Sequence, residues 1–235
     1  MTSPIDPRAA ALLALTSFPA LAAQPAEDLG SKWGTETEER KYYRVVSLPI
    51  PEELTVEAGA FTTLPDGRIA VGTRHGDIYL VDGVDDPKPE PTYTLFASGM
   101  DEIFGLEAVE GGLLVTQSCE LTRVSDADGD GRADRFDVVS AGWGYENYHE
   151  YAFGLVRDKE GSFYGALGLG FFPRGEPFKP TWCSHGNVPW RGWLFKITSD
   201  GKYVPLNPGC REPNSVGISP DGDVFVTDNQ GSYVP

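Results

Sequence analysis

What most constrains this chain is a turn that keeps returning in front of an alternating apolar run. Leu64-Pro65-Asp66-Gly67-Arg68-Ile69-Ala70-Val71 shows it first. Val109-Glu110-Gly111-Gly112-Leu113-Leu114-Val115, Asp158-Lys159-Glu160-Gly161-Ser162-Phe163-Tyr164 and Ser219-Pro220-Asp221-Gly222-Asp223-Val224-Phe225-Val226 repeat it. Measured between Gly67, Gly112, Gly161 and Gly222, the intervals are 45, 49 and 61 residues, the longest stretched by a Gly- and Pro-rich insertion from Gly170 to Gly192. A second alternating run follows three of these turns, at Asp77–Val81, Glu120–Val124 and Trp193–Ile197, and a third at Thr92–Phe96, Arg135–Val139 and Lys202–Val204. Short strands divided by turn residues and repeating at this period predict an all-β fold, a β-propeller. A β-sandwich with similar turns is the alternative architecture. About three and a half blades are present, and a propeller needs about four to eight to close. The expectation is therefore part of a six-bladed propeller over residues 41–235, incomplete at its C-terminus. Val45-Val46-Ser47-Leu48 is expected as an outer strand of the final blade.

Charge narrows the partners. Asp and Glu number 35 against 19 Lys and Arg, a net charge of −16, and such a surface repels nucleic acid and anionic lipid. Arg8, the run Ala9–Leu15 and Ala20-Leu21-Ala22 have the three-part pattern of a secretory signal peptide over residues 1–22. A polar linker follows over 23–40. These segments predict a periplasmic or secreted protein with no membrane span. Export allows disulfides, and of Cys119, Cys183 and Cys210 the pair Cys183–Cys210 is favoured, with the connectivity open.

Two constellations carry chemistry. In Asp126-Ala127-Asp128-Gly129-Asp130-Gly131-Arg132-Ala133-Asp134-Arg135-Phe136-Asp137, carboxylates fall at positions 1, 3, 5, 9 and 12 of a twelve-residue loop, with Gly131 at position 6. That is the spacing of a calcium loop, with the Arg132 carbonyl at position 7 and Asp137 in place of the usual Glu. The predicted metal set is Asp126, Asp128, Asp130, Arg132, Asp134 and Asp137; the alternative is a solvated acidic turn. The second is His149, at the entry to the third blade in Tyr148-His149-Glu150-Tyr151. A neutral imidazole there would take a proton from a substrate hydroxyl, whereas a hydrogen-bonded structural histidine is the plainer alternative. Strand alternation sends Glu150 to the opposite face. Glu57, Asp101, Glu102, Arg211 and Asn214 hold comparable blade-entry positions, lining the channel or standing as solvated loop polarity. Arg74-His75-Gly76-Asp77 reads as a hairpin turn.

His149 through Gly168 resembles the catalytic-histidine blade of soluble pyrroloquinoline-quinone-dependent sugar dehydrogenases. Gly209-Cys210-Arg211-Glu212-Pro213-Asn214-Ser215-Val216-Gly217 followed by Pro220-Asp221-Gly222 resembles their G-x-R-N-P-x-G-L…P-D-G segment, with Glu212 in place of Asn. The runs Tyr42–Val46, Leu64–Arg68, Tyr148–Glu150 and Thr227–Gly231 resemble more closely the exported "membrane-bound dehydrogenase" propellers of planctomycetes and verrucomicrobia, often fused to cytochrome c domains. The resemblance implies a dehydrogenase that oxidises a sugar or alcohol by hydride transfer to pyrroloquinoline quinone. It further implies His149 as base, Arg211 and Asn214 at the cofactor, and a cytochrome c as electron acceptor. One motif departs: where the sugar dehydrogenases read G-D-Q-G-R-N, this chain reads Gly168-Leu169-Gly170-Phe171-Phe172-Pro173-Arg174-Gly175, with Arg174 displaced and the Asn absent. A non-catalytic propeller that binds glycan or protein is the alternative function, and a calcium-dependent lactonase a third.

Overall fold

The Pro65-Asp66-Gly67 turn shows how the repeat folds. Gly67 takes φ +92°, a conformation open to glycine at little cost, and its N–H reaches the Leu64 carbonyl at 3.0 Å. Asp66 closes the turn by accepting from the Arg68 N–H at 3.1 Å and pairing with its guanidinium at 2.7 Å. The same left-handed glycine recurs at Gly161 and Gly222, and in the second repeat at Gly111, one residue before the marker Gly112, so each repeat turns at a glycine hairpin corner.

The computed structural model describes residues 40–43, 45–85, 88–145, 149–171, 182–183 and 188–229. The chain divides into two units, Met1–Ser47 and Leu48–Pro235. The described part of the first carries a turn at residues 40–42 and no strand. Val45 to Leu48, expected as an outer strand, are irregular, and Val45 is 87% exposed. The leader and nearly all of the linker, along with Tyr148, Arg174 and His185, lie outside the described residues.

The second unit is all β. A first antiparallel sheet holds β1 (Ala58–Thr63), β2 (Ile69–Thr73), β3 (Ile78–Asp82) and β4 (Thr92–Ala97) in chain order. A second holds β5 (Gly105–Val109), β6 (Gly112–Thr116), β7 (Leu121–Ser125) and β8 (Arg135–Ser140). In the third, β9 (Ala152–Arg157) and β10 (Phe163–Leu167) are separated from β13 (Trp193–Ile197) and β14 (Tyr203–Pro208) by the insertion. The insertion carries the short pair β11 (Gly170–Phe171) and β12 (Trp182–Cys183). A half-blade, β15 (Pro213–Ile218) with β16 (Val224–Asp228), ends the series. Three complete four-stranded blades and a two-stranded one match the expected count.

The first strands of successive blades pack side by side, β1 on β5, β5 on β9 and β9 on β15. Apolar clusters fill the spaces between sheets. Ile78, Leu80, Phe96, Ile103 and Val115 lie between the first and second, Leu121, Trp143, Leu167 and Phe195 between the second and third, and Ala166, Leu194 and Val216 between the third and fourth. Each fully buried Leu, Ile or Phe contributes about 1.5–3 kcal/mol, so the sandwiched faces hold the array together. Because every blade starts at the same end, the entry loops and the β2–β3 and β6–β7 turns share one end, and the 126–134 loop sits at the other.

Cys210 packs as a free buried thiol against Ala166, Leu194 and Val216, so the favoured Cys183–Cys210 disulfide is not formed. Burial pushes its thiol up to about 11. Cys119 is also free, on the β6–β7 turn. Among the described residues no helix is long and apolar enough to cross a membrane.

Candidate functional site at the blade entries

Glu57, Phe104, Tyr151 and Glu212 stand immediately before β1, β5, β9 and β15, and so form equivalent positions around the entry end. Backbone bonds fix three of them to the turn that follows the second strand of each blade. The N–H groups of Arg74, Gly168 and Asn229 reach the carbonyls of Glu57, Tyr151 and Glu212 at 3.1, 3.0 and 3.1 Å. Side chains from different blades therefore converge.

The tightest convergence centres on Tyr151. Its ring lies 4.9 Å from Phe104 in a tilted pair and 6.0 Å from His149 edge-on. The Arg74 guanidinium sits over the same ring, 5.9 Å from its centroid, while bonding Glu102 Oε1 at 3.3 Å. The bond to Glu102 holds the Arg74 guanidinium above the usual arginine range. Beside it, His75 Nε2 lies 3.3 Å from Glu57 Oε2. Glu57 and Glu102 take φ +31° and +40°, left-handed values that cost a non-glycine residue about 1–3 kcal/mol each. Both strained carboxylates thus sit at the same end as His149.

Blade four supplies the next edge. Asp228, at the end of β16, accepts the N–H groups of Glu212 at 2.8 Å and Arg211 at 3.1 Å, and the Arg211 guanidinium pairs with Glu212 at 3.1 Å. The Arg211 carbonyl in turn accepts from Leu169, tying this entry to blade three. Asn214 is the second residue of β15, with an exposed side chain. Asp101 is held by its N–H to Gln117 Oε1 at 2.8 Å, and its carboxylate bonds the Tyr145 hydroxyl, which raises that phenol.

Of the expected site residues, the structure joins His149 to Glu102 through Tyr151 and Arg74, and sets Arg211 against Glu212. Sequence reasoning named neither Tyr151 nor Arg74 as a site residue. Arg74 lies in a hairpin turn, as expected, and that turn faces the entry. Arg191 was missed altogether; it is fully buried 3.7 Å from the equally buried Glu150.

At the opposite end, one carboxylate oxygen from each of Asp126, Asp128 and Asp130 lies within 4.8 Å of the others, so the three could hold a metal ion. Asp126 already accepts the Gly129 and Gly131 N–H groups at 2.7 and 2.8 Å, and these bonds hold its carboxyl below the usual range. Two predicted ligands are engaged elsewhere: Asp134 accepts from the Ala127 N–H at 2.8 Å, and Asp137, on β8, pairs with Arg135 at 2.7 Å. Arg132 donates its N–H to Asp130 at 2.8 Å. The loop is bolted to the neighbouring blade by the Ala133 N–H on the Phe96 carbonyl at 2.7 Å.

Two solved structures share the fold. A Thermus thermophilus protein assigned as an oxidoreductase (glucose dehydrogenase) superposes with a TM-score of 0.53 at 17% identity, over 74% of this chain and 58% of that one. The holo form of the pyranose dehydrogenase PQQ domain from Coprinopsis cinerea gives a TM-score of 0.55 at 11% identity, over 77% of this chain and 45% of that one. At these identities the likeness is one of fold, and the chain spans about half the length of these two structures. No curated protein matches the sequence. The model of the family described as a domain of unknown function, DUF7133, matches residues 74–231, and the chain belongs to that family.

Proposed function

We propose that the blade-entry end is the active site of an exported dehydrogenase that oxidises a sugar or alcohol, with pyrroloquinoline quinone as cofactor and a cytochrome c as eventual electron acceptor. The observation that carries this reading is the convergence of His149, Tyr151, Phe104, Arg74 and Glu102 from three blades. A flat quinone bearing carboxylates suits such a donor set: aromatic faces for its rings, and the guanidinium groups of Arg74 and Arg211 for its anionic edge. Asn214 would add an amide donor. When bound, the quinone supplies the two-electron acceptor that no side chain provides.

The chain's own residues do the rest. His149 takes the proton from the substrate hydroxyl as the carbon is oxidised. The Tyr151 and Phe104 rings, against which the flat cofactor would lie, exclude water from the site. Glu102, held by Arg74, orients a second hydroxyl. At the far end, Asp126, Asp128 and Asp130 hold calcium together with the Arg132 carbonyl, Asp134 and Asp137, the last two after leaving their present partners. There calcium pins the β7–β8 hairpin and takes no part in the chemistry.

One observation favours a second reading, a propeller that binds glycan or protein without turnover. Arg74 and Arg211 already face Glu102 and Glu212, so part of their charge is neutralised before any anionic cofactor arrives. An assay of an artificial electron acceptor decides between the two. The dehydrogenase bleaches the dye with sugar or alcohol only when quinone is added, and His149→Ala abolishes the bleaching. Quinone-dependent turnover that survives His149→Ala removes the histidine from the mechanism, and no turnover with any sugar or alcohol leaves the binding module.

A further inference from the structure

Arg191 is the largest fully buried side chain described, and nothing in its own sequence segment accounts for that. It lies between Trp190 and Gly192, at φ +69° and +76°, two left-handed residues that turn the chain sharply as the insertion returns to β13. Gly192 is anchored on both sides, its N–H on the Gly168 carbonyl at 3.0 Å and its carbonyl accepting from Gly209 and Cys210 at 3.0 and 3.1 Å. From this fixed turn the guanidinium reaches three backbone carbonyls in three different segments. Nε donates to Gly144 at 2.8 Å, Nη1 to Tyr151 at 2.9 Å and Nη2 to Ser118 at 3.2 Å. Trp143 Nε1 donates to the same Ser118 carbonyl at 3.0 Å. Glu150 Oε2 stands 3.7 Å from Nε, with both side chains wholly out of solvent.

A planar fork with several fixed donors can satisfy three carbonyls at once; an ammonium on a flexible stem cannot do so in the same geometry. Burying such a charge is costly unless it is paired and hydrogen-bonded, and Glu150 supplies the pair. The two residues that make this contact, Glu150 by its side chain and Tyr151 by its carbonyl, immediately follow His149. The β6–β7 turn of blade two and the β8–β9 connection are thus locked to the blade-three entry.

We propose that Arg191 and Glu150 form a buried positioning pair that sets how His149 and Tyr151 are presented at the blade-entry end, without touching substrate or cofactor. The inference rests on the reading of His149 as the base, and its test does not depend on turnover. In the double variant Arg191→Met/Glu150→Leu the pair is removed as a unit, which leaves no buried charge alone and is often tolerated by the fold.

With histidine and tyrosine isotopically labelled in the full chain, the double variant should still melt cooperatively. It should lose the ring-to-ring NMR cross-peak between His149 and Tyr151 and shift the His149 ring signals. His75, in its pair with Glu57 on blade one, should keep its signals. A folded double variant that retains the His149–Tyr151 cross-peak and His149 shifts overturns the proposal. Should that variant fail to fold, Arg191→Lys answers in its place, because it keeps the charge opposite Glu150 but not the three-way grip. The cross-peak should then weaken, and its full retention overturns the proposal equally. Loss of the cross-peak together with unchanged quinone-dependent turnover in His149→Ala would uphold the positioning pair and sink the catalytic reading of His149.

Discussion

Gly105 opens the inner strand of blade two where it meets blade three, and replacing it with alanine tests that blades pack through their first strands. A methyl group there would sit 2.6 Å from the Gly154 carbonyl carbon, 2.6 Å from Thr116 Oγ1, and closer still to the Gly154 oxygen, where side-chain carbons essentially never come within 3.0 Å. Two of the three obstacles are backbone, so β5 and β9 must part. Overpacking of this kind costs about 1–3 kcal/mol. The parting also strains the Thr116 hydroxyl bond to the Gly154 carbonyl and the Gly154 N–H bond to the Phe104 carbonyl, each at 3.0 Å and each contributing about 1 kcal/mol. Together these give about 3–5 kcal/mol, which lowers the melting temperature by about 6–20 °C for a domain of this size. Gly217→Ala is the control: it lies on the inner strand β15, its methyl would meet nothing within 4 Å, and its backbone is not left-handed. It should leave stability unchanged or raise it by about 0.5 kcal/mol. Urea unfolding of the two variants, compared by midpoint at equal slope, reads the difference directly. Midpoints that place Gly105→Ala within about 1 kcal/mol of Gly217→Ala would refute the inner-strand packing.

Other consequences are equally concrete. Calcium should raise the melting temperature of the wild-type protein and not of Asp128→Ala, and a chelator without effect on the wild type removes the metal loop. Asp158 is partly buried, which raises its carboxyl, but the Ser162 N–H, Tyr164 hydroxyl and Lys196 ammonium outweigh this and hold it below the usual carboxylate range. The stability it contributes is therefore complete above about pH 4 and lost as pH falls through its lowered value. Asp158→Asn should flatten the acid limb of the pH–stability curve, and an unchanged limb contradicts the assignment. Native alkylation mapped by mass spectrometry should label Cys119 ahead of the buried Cys210, and a Cys183–Cys210 disulfide peptide would contradict the free thiol.

The turns were the legible part of the sequence. Pro65-Asp66-Gly67 and Pro220-Asp221-Gly222 need glycine for a left-handed corner, and that local demand writes itself into the chain without help from tertiary contacts. The inner strands were far less legible, and blade closure explains it. Gly59 on β1 and Gly105 on β5 face the backbone of the next blade, at Ile103 and Gly154, where a side chain would collide. Strands built from such small residues lose the alternating apolar signature. The aspartates at positions 1, 3 and 5 of the acidic loop were legible because local turns alone bring them together; Asp134 accepts from the Ala127 N–H and Asp137 pairs with Arg135, partners that the spacing alone does not reveal. Arg191 carried no local signal, since its three acceptors are spread from Ser118 to Tyr151. His149 was visible from its blade-entry position. Arg74 and Tyr151 became visible only when two blades stood side by side.

The most direct test of the functional account is calorimetric titration of pyrroloquinoline quinone into the protein. The account predicts saturable binding at one site, lost in the Arg74→Ala/Arg211→Ala double variant and retained in Asp128→Ala, whose carboxylate lies at the opposite end of the blades. Absence of saturable binding, or binding that follows Asp128 and ignores the two arginines, would contradict it.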